Sequence, residues 1–184
     1  MYDDEDSRLY KKPDYRRYPK VPIERRASAF AIDFLSVWFV SSFFATNLIV
    51  QWIVFLFCWW ALRVLIVDKN QGQSLGTWLF DLKVIDPRFN RRPELLNLSK
   101  RELMVGLGSA LAIAGLQNFT SGLAMLLLLS PLAVDCSLAL IDEETNLAGH
   151  DRLAQTLVAQ TERGFSLDLR LKRIFGQIQD RMRK

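Results

Sequence analysis

The chain has 184 residues, half of them hydrophobic, with 24 basic and 20 acidic side chains and a net charge of +4. Mean hydropathy is +0.08, which an ordinary soluble domain would also show, so the average excludes little. The distribution excludes more. Charge is confined almost wholly to residues 1–26, 68–102 and 142–184, whereas a soluble helical protein spreads it along every amphipathic helix.

Residues 1–26 read as a flexible cytoplasmic arm. The arm opens on Asp3-Asp4-Glu5-Asp6, continues through Lys11, Lys12, Arg16, Arg17 and Lys20 with three prolines, and ends at Glu24-Arg25-Arg26. A cleaved signal peptide does not fit, because the first apolar segment starts only near Ala27.

From Ala27 to Val67 the only formal charges are Asp33 and Arg63. A hydrocarbon core about 30 Å thick takes roughly 20 apolar residues per helix, so this stretch is long enough for two passes. Ala45-Thr46-Asn47 is the polar break near its centre, which predicts helices at about 27–45 and 48–67. Of Trp38, Trp52, Trp59 and Trp60, only Trp52 falls close to a predicted interface.

The middle block contains Leu82-Lys83-Val84-Ile85-Asp86 before Pro87, a strand-like run. From Leu103 to Ile141 the only charge is Asp135, and the stretch breaks at Gln117-Asn118-Phe119-Thr120-Ser121-Gly122. Helices at about 102–118 and 122–141 follow, the second expected to kink at Pro131. In the first, Gly106, Ala110 and Ala114 recur every four residues, with Gly108 and Ala112 beside them. Such a row lets backbones approach closely in lipid, either within this bundle or at a homo-oligomer seam.

Beyond the last pass, Thr156-Leu157-Val158-Ala159 also suits a strand and could pair with 82–86 in a small cytoplasmic cap. Residues 165–184 carry an apolar stripe, Leu167, Leu171, Ile174, Phe175, Ile178 and Met182, opposite many basic residues. That pattern suits an amphipathic helix on the membrane surface or docked on a partner.

The fold class expected is therefore an all-α, four-pass membrane bundle with a small cap. The three charged blocks hold eight, seven and eight Lys and Arg residues, and the two turns hold none. Four passes put every basic block, and both termini, on the cytoplasmic side. Anionic headgroups at the basic flanks are the natural partner, a membrane-protein partner or homo-oligomer remains open, and nucleic acid is not expected.

In a hairpin turning near residues 46–47, positions summing to about 93 share a depth, which sets Arg63 roughly 4–5 Å from the level of Asp33. Asp135 lies about six residues inside the end of its helix, so Asp33, Arg63 and Asp135 are expected near one depth. If all three are ionised one negative charge is left over, to be met by a proton, a cation, or a donor such as Arg25 or Arg26. Three readings stand: a structural clamp, an ion- or proton-binding site, and snorkelling of each group to the interface.

At these residues the chain resembles the RDD family of bacterial membrane proteins, named for one arginine and two aspartates. Arg25-Arg26-Ala27-Ser28-Ala29-Phe30-Ala31-Ile32-Asp33 is similar to its opening motif. Gly72-Gln73-Ser74-Leu75-Gly76-Thr77-Trp78-Leu79-Phe80-Asp81-Leu82-Lys83-Val84 resembles its middle segment, and Lys100-Arg101-Glu102-Leu103 the basic pair that opens the next apolar segment. His150-Asp151-Arg152-Leu153-Ala154-Gln155-Thr156 resembles its closing motif. The likeness runs over about 22–160, with three departures: Thr77 for a lysine, and Asp81 and Gln155 for glycines. It implies that the family's second aspartate is Asp151 rather than Asp135, and that the protein sits in a bacterial cytoplasmic-type membrane. Family function is unsettled, with transport often suggested and cation/proton antiport proposed for some members.

His150 is the only histidine, so no cluster points to a metal site or a triad, and its expected role is to fix the turn before Asp151 and Arg152. Cys58 and Cys136 both lie in apolar segments and read as small hydrophobes. With no phosphate-cradling loop or nucleophile motif, neither a cofactor nor an enzymatic activity is expected. A small structural or accessory membrane protein is the preferred function. The alternative is a small-cation or proton transporter using Asp33 and Asp135.

Overall fold

The computed structural model describes residues 13–44, 47–142, 144–161 and 166. In chain order, α1 is Ile23–Ser42, and α2 is Leu48–Trp60, which continues through a π-helical segment, Ala61–Ile66, into the short α3, Val67–Lys69. Then come α4 (Leu75–Leu79), β1 (Leu82–Ile85), α5 (Leu95–Gln117), α6 (Gly122–Ile141), α7 (Gly149–Ala154) and β2 (Leu157–Gln160). The stripe expected over 165–184 lies, apart from Ser166, outside the described residues.

Two helices are long and apolar enough to cross a membrane, Ile49–Lys69 and Gly122–Ile141. Protein covers only 28% of the first window and 11% of the second. The core helix of a soluble protein would instead be mostly buried, since leaving Leu and Phe in water forfeits about 1.5–3 kcal/mol each. Here Ile53, Phe57, Leu123, Leu126, Leu127 and Val134 are all exposed.

Local chemistry sets the ends of the helices. Pro22 precedes α1, and the Asn47 side chain caps α2 by accepting from the Val50 N–H at 2.9 Å. α4 opens on a capping box between Ser74 and Thr77. α5 begins at Leu95, well before the expected start near 102. Its first two turns fall in the charged block of the sequence and mix three leucines with Asn97, Ser99, Lys100 and Arg101, and Leu98, Arg101 and Glu102 are buried there.

The small residues of α5 are used up within the molecule. A Cβ added at Gly106 would lie 2.8 Å from the Trp59 ring, and one at Gly108 would touch Leu132 of α6. Ala110, Ala112 and Ala114 are buried as well. Around this row, Val37, Phe55, Trp59, Val105, Ala110 and Ile113 form the core of the helical bundle.

β1 and β2 pair antiparallel with Leu82 opposite Gln160 and Ile85 opposite Leu157. This ribbon is pinned from one side by Gly72. Its φ of +90° suits glycine, and a Cβ there would lie 2.3 Å from the Val84 carbonyl oxygen. Tyr15 and Tyr18 pack on Ile85, Leu147, Leu157 and Ala159. The segment expected to run free as far as residue 26 is thus packed against the cap from Tyr15 onward, because two aromatic rings find an apolar floor there.

Candidate functional site

Asp33 is fully buried on α1, and its carboxylate meets three donors. Arg63 Nη1 and the Ser74 hydroxyl each donate to Oδ2 at 2.6 Å, and the Gly76 backbone N–H donates to Oδ1 at 2.7 Å. The segment 72–80 can approach α1 this closely because position 76 has no side chain. A Cβ there would lie 2.0 Å from the Ala29 carbonyl oxygen.

Arg63 lies in the π-helical segment, a widened turn that often marks functional positions. Its guanidinium rests over the Trp59 ring, 5.4 Å from the centroid. Beyond Asp33 it grips Glu102 of α5 with two hydrogen bonds, of 3.0 and 3.2 Å, the forked geometry that a lysine cannot supply.

The charges continue from there. Arg101, next to Glu102, places Nε 3.2 Å from Asp151 Oδ1 and Nη1 3.6 Å from Glu102 Oε1. These are ion pairs without hydrogen-bond alignment, since Arg101 Nε and Nη1 are both buried with no hydrogen-bond partner among the described residues. Asp151, on α7, also receives Arg26 of α1, which donates in addition to the Asn146 carbonyl. Burial alone would push the Asp151 carboxyl up, but Arg26, His150 and Arg101 outweigh it and hold it well below the usual carboxylate range.

The partner of Asp135 is His150, and the second carboxylate on Arg63, beside Asp33, is Glu102. This corrects the trio expected from sequence. The His150 backbone N–H donates to Asp135 Oδ1 at 2.8 Å, and ring atom Nδ1 meets Oδ2. Gly149 makes room, for a Cβ there would lie 2.7 Å from Asp135 Oδ1. The far ring nitrogen of His150 is 3.6 Å from Asp151, so the imidazole bridges α6 to the rest and does more than fix a turn. Arg152, by contrast, is exposed and pairs with Asp142 at 3.2 Å.

One connected set therefore runs Asp33–Arg63–Glu102–Arg101–Asp151–Arg26, with His150 joining Asp135 to Asp151. It contains four carboxylates, three guanidiniums and one imidazole. It touches every long helix and the cap. Sequence reasoning missed Glu102, which sits at the edge of a charged block and reads as solvated. It also missed the link from Arg101 to Asp151, which only the folded cap creates. Beside the set lies a cavity of about 170 Å³, with Arg26, Arg63, Arg101, Asp135 and His150 on its polar wall. Among the described residues no group of three or more His, Cys, Asp or Glu is placed to hold a metal ion.

A family model, that of the RDD family, matches residues 21–155. The chain belongs to the RDD family. No match was found among curated proteins or solved structures. With its two apolar spans, the family marks this chain as a membrane protein. The RDD motifs take on physical roles here: Arg26 and Asp151 meet at one end of the charge set, and Asp33, Ser74 and Gly76 at the other. The chain's departures from the family glycines fall where glycine would be easiest, since Asp81 has φ +56° and Gln155 φ +52°. Thr77, in place of the family lysine, belongs to the capping box of α4.

Proposed function

We propose that the protein is a small four-pass structural or accessory membrane protein of the cytoplasmic-type membrane, whose buried charges clamp the helices to a cytoplasmic cap. The observation that carries this reading is the saturation of Asp33. A carboxylate already accepting from Arg63, Ser74 and Gly76 offers little to a passing ion, and its removal takes the acceptor from Arg63 Nη1 and the buried Gly76 N–H.

Four passes accord with the exposed apolar faces of the two less hydrophobic long helices. Leu35, Phe39 and Val40 are exposed along one side of α1, and Leu103, Met104 and Leu107 along one side of α5. Leu75 and Trp78 of α4 are exposed beside Leu62 and Ile66, which suits a short helix lying at the membrane boundary. Both termini on the cytoplasmic side, as the basic blocks require, would set the cap in the cytoplasm.

The second reading is a small-cation or proton carrier. It is favoured by the pairing of Asp135 with His150 at the edge of the cavity, where the charge set faces open space.

Reconstitution separates the two. Accessory protein in liposomes should give no pH- or Na⁺-driven flux above empty vesicles, and should co-purify with a stable membrane partner from native membranes. Flux that Asp135→Asn abolishes would overturn the accessory role in favour of the carrier. Cysteine labelling at Asn47, Asn118 and a C-terminal site checks the topology. The two turns should label from one side and the C-terminus from the other.

A further inference from the structure

The cavity beside the charge set has a composition of its own. Its polar wall presents three guanidiniums and an imidazole against one carboxylate, Asp135. The carboxylates that balance the arginines, Asp33, Glu102 and Asp151, do not line it, so its contents meet the guanidinium edges directly. Asp135 is already engaged by the backbone N–H and ring of His150. Arg101 lines the same space, is only 3% exposed, and keeps Nε and Nη1 without a hydrogen-bond partner among the described residues. Buried guanidinium donors left without acceptors are costly, and an oxygen-bearing anion is the group whose geometry they match.

The rest of the wall is apolar, with Ile23, Phe30, Val105 and Ala139 among its members. Its volume, about 170 Å³, is roughly ten times what a single water requires. Of the lining residues, Ala27 on α1 and Cys136 on α6 are exposed, so the mouth opens sideways between these two helices. Ala27 is four residues from the start of α1 and Cys136 five from the end of α6, placing the mouth about 6–8 Å along each helix. The interfacial layer that flanks a bilayer's hydrocarbon is about 5–7 Å thick. A lateral mouth at that level, apolar at the rim and cationic at depth, faces lipid headgroups.

The geometry points to a phospholipid site in which the monoanionic phosphodiester of a membrane lipid enters between α1 and α6 and accepts hydrogen bonds from Arg101, with Arg26 beside it and the glycerol and first acyl carbons along Ile23, Phe30 and Ala139. Asp135 on the wall selects a monoanion over a more highly charged headgroup. The site needs the chain to lie in a membrane, but it is independent of whether the protein is an accessory subunit or a carrier.

The test uses the full-length protein, purified in detergent and stripped of lipid, with native mass spectrometry as the readout. The probes are phosphatidylglycerol, diacylglycerol with the same acyl chains, and inorganic phosphate. Phosphatidylglycerol should bind at least about tenfold more tightly than diacylglycerol, the ratio that one charge-assisted hydrogen bond supplies. Arg101→Gln should bring that ratio close to one. Because this variant also loses the ion pair to Asp151 and could fail to fold, Ala27→Trp and Cys136→Trp provide the second arm. Each blocks the mouth from an exposed position and leaves every charged residue in place, and each should also bring the ratio close to one. A wild-type ratio near one overturns the site, as does a ratio that survives both blocking variants. Saturable binding of inorganic phosphate without preference for phosphatidylglycerol would assign the cavity to a free anion and overturn the lipid assignment.

Discussion

The backbone N–H of Gly76 donates to the Asp33 carboxylate at 2.7 Å, joining a short helix of the loop to the middle of the first long helix. The contact depends on a missing side chain, because a Cβ at position 76 would lie 2.0 Å from the backbone oxygen of Ala29. Neither group can yield as a flexible side-chain tip would. Gly76→Ala is therefore expected to cost at least the roughly 1–3 kcal/mol typical of overpacking, and to disturb the Ser74 hydrogen bond as well. Thermal unfolding of the purified variant in detergent measures this, and an unchanged midpoint would contradict the close approach.

Breaking the Asp33–Arg63 pair should be costly in either direction. Asp33→Asn and Arg63→Gln each leave buried partners unmatched, for a loss of about 3 kcal/mol or more. Exchanging the two residues should not rescue the fold. The carboxylate brought to position 63 would face Glu102, and the guanidinium brought to position 33 would face the donors of Ser74 and Gly76. An exchanged pair with a midpoint near wild type would overturn the three-donor geometry at Asp33.

Asp151 makes stability depend on acid. Its folded carboxyl is held below the ordinary value of 3.8, so the folded state binds this proton less readily than the unfolded chain. The contribution is complete above the unfolded value and is lost as pH falls from there toward the folded one. Wild type should thus lose stability below about pH 4 more steeply than Asp151→Asn, while at neutral pH the variant is the weaker of the two. Parallel unfolding curves for both proteins over pH 3–7 would show that Asp151 carries no such load.

Gln155 ends α7 with φ +52°, a conformation that costs a side-chain-bearing residue about 1–2 kcal/mol. The side chain is exposed, so its loss removes little packing. Gln155→Gly should raise stability by up to about 1 kcal/mol after the extra chain entropy of glycine is subtracted. A lower midpoint would mean that the Gln155 side chain makes a contact that stabilises the turn.

Much of the framework could be read without the structure because it follows from local regularities. Two charge-poor stretches with polar centres mark the long helices, and the runs at 82–86 and 156–159 have the side-chain pattern of strands, which lie at 82–85 and 157–160. Depth arithmetic along a hairpin sets Asp33 and Arg63 within reach, and they lie 2.6 Å apart. The remainder depends on tertiary placement. Glu102 sits beside Lys100 and Arg101 and resembles a solvated loop charge, until α5 begins at Leu95 and turns it inward. The bond between Asp135 and His150 arises only when α7 folds back under α6, which no periodicity encodes. The left-handed backbone at Asp81 and Gln155 falls where the family pattern carries glycine, but nothing in the identity of either residue announces it.

If the buried charges tie the cap to the helices, breaking the set must loosen the ribbon, and hydrogen exchange in the intact protein reads that loosening. Amide protection is compared between wild type and Asp151→Asn in the same detergent at neutral pH. Cutting the set at Asp151 releases Arg26 and Arg101 together. The amides of β1 and β2 should then exchange at least about tenfold faster, as a loss of 1.4 kcal/mol or more in local stability requires, while those of α2 and α6 stay protected. Unchanged protection of the ribbon would mean that the buried charges do not hold the cap to the helices.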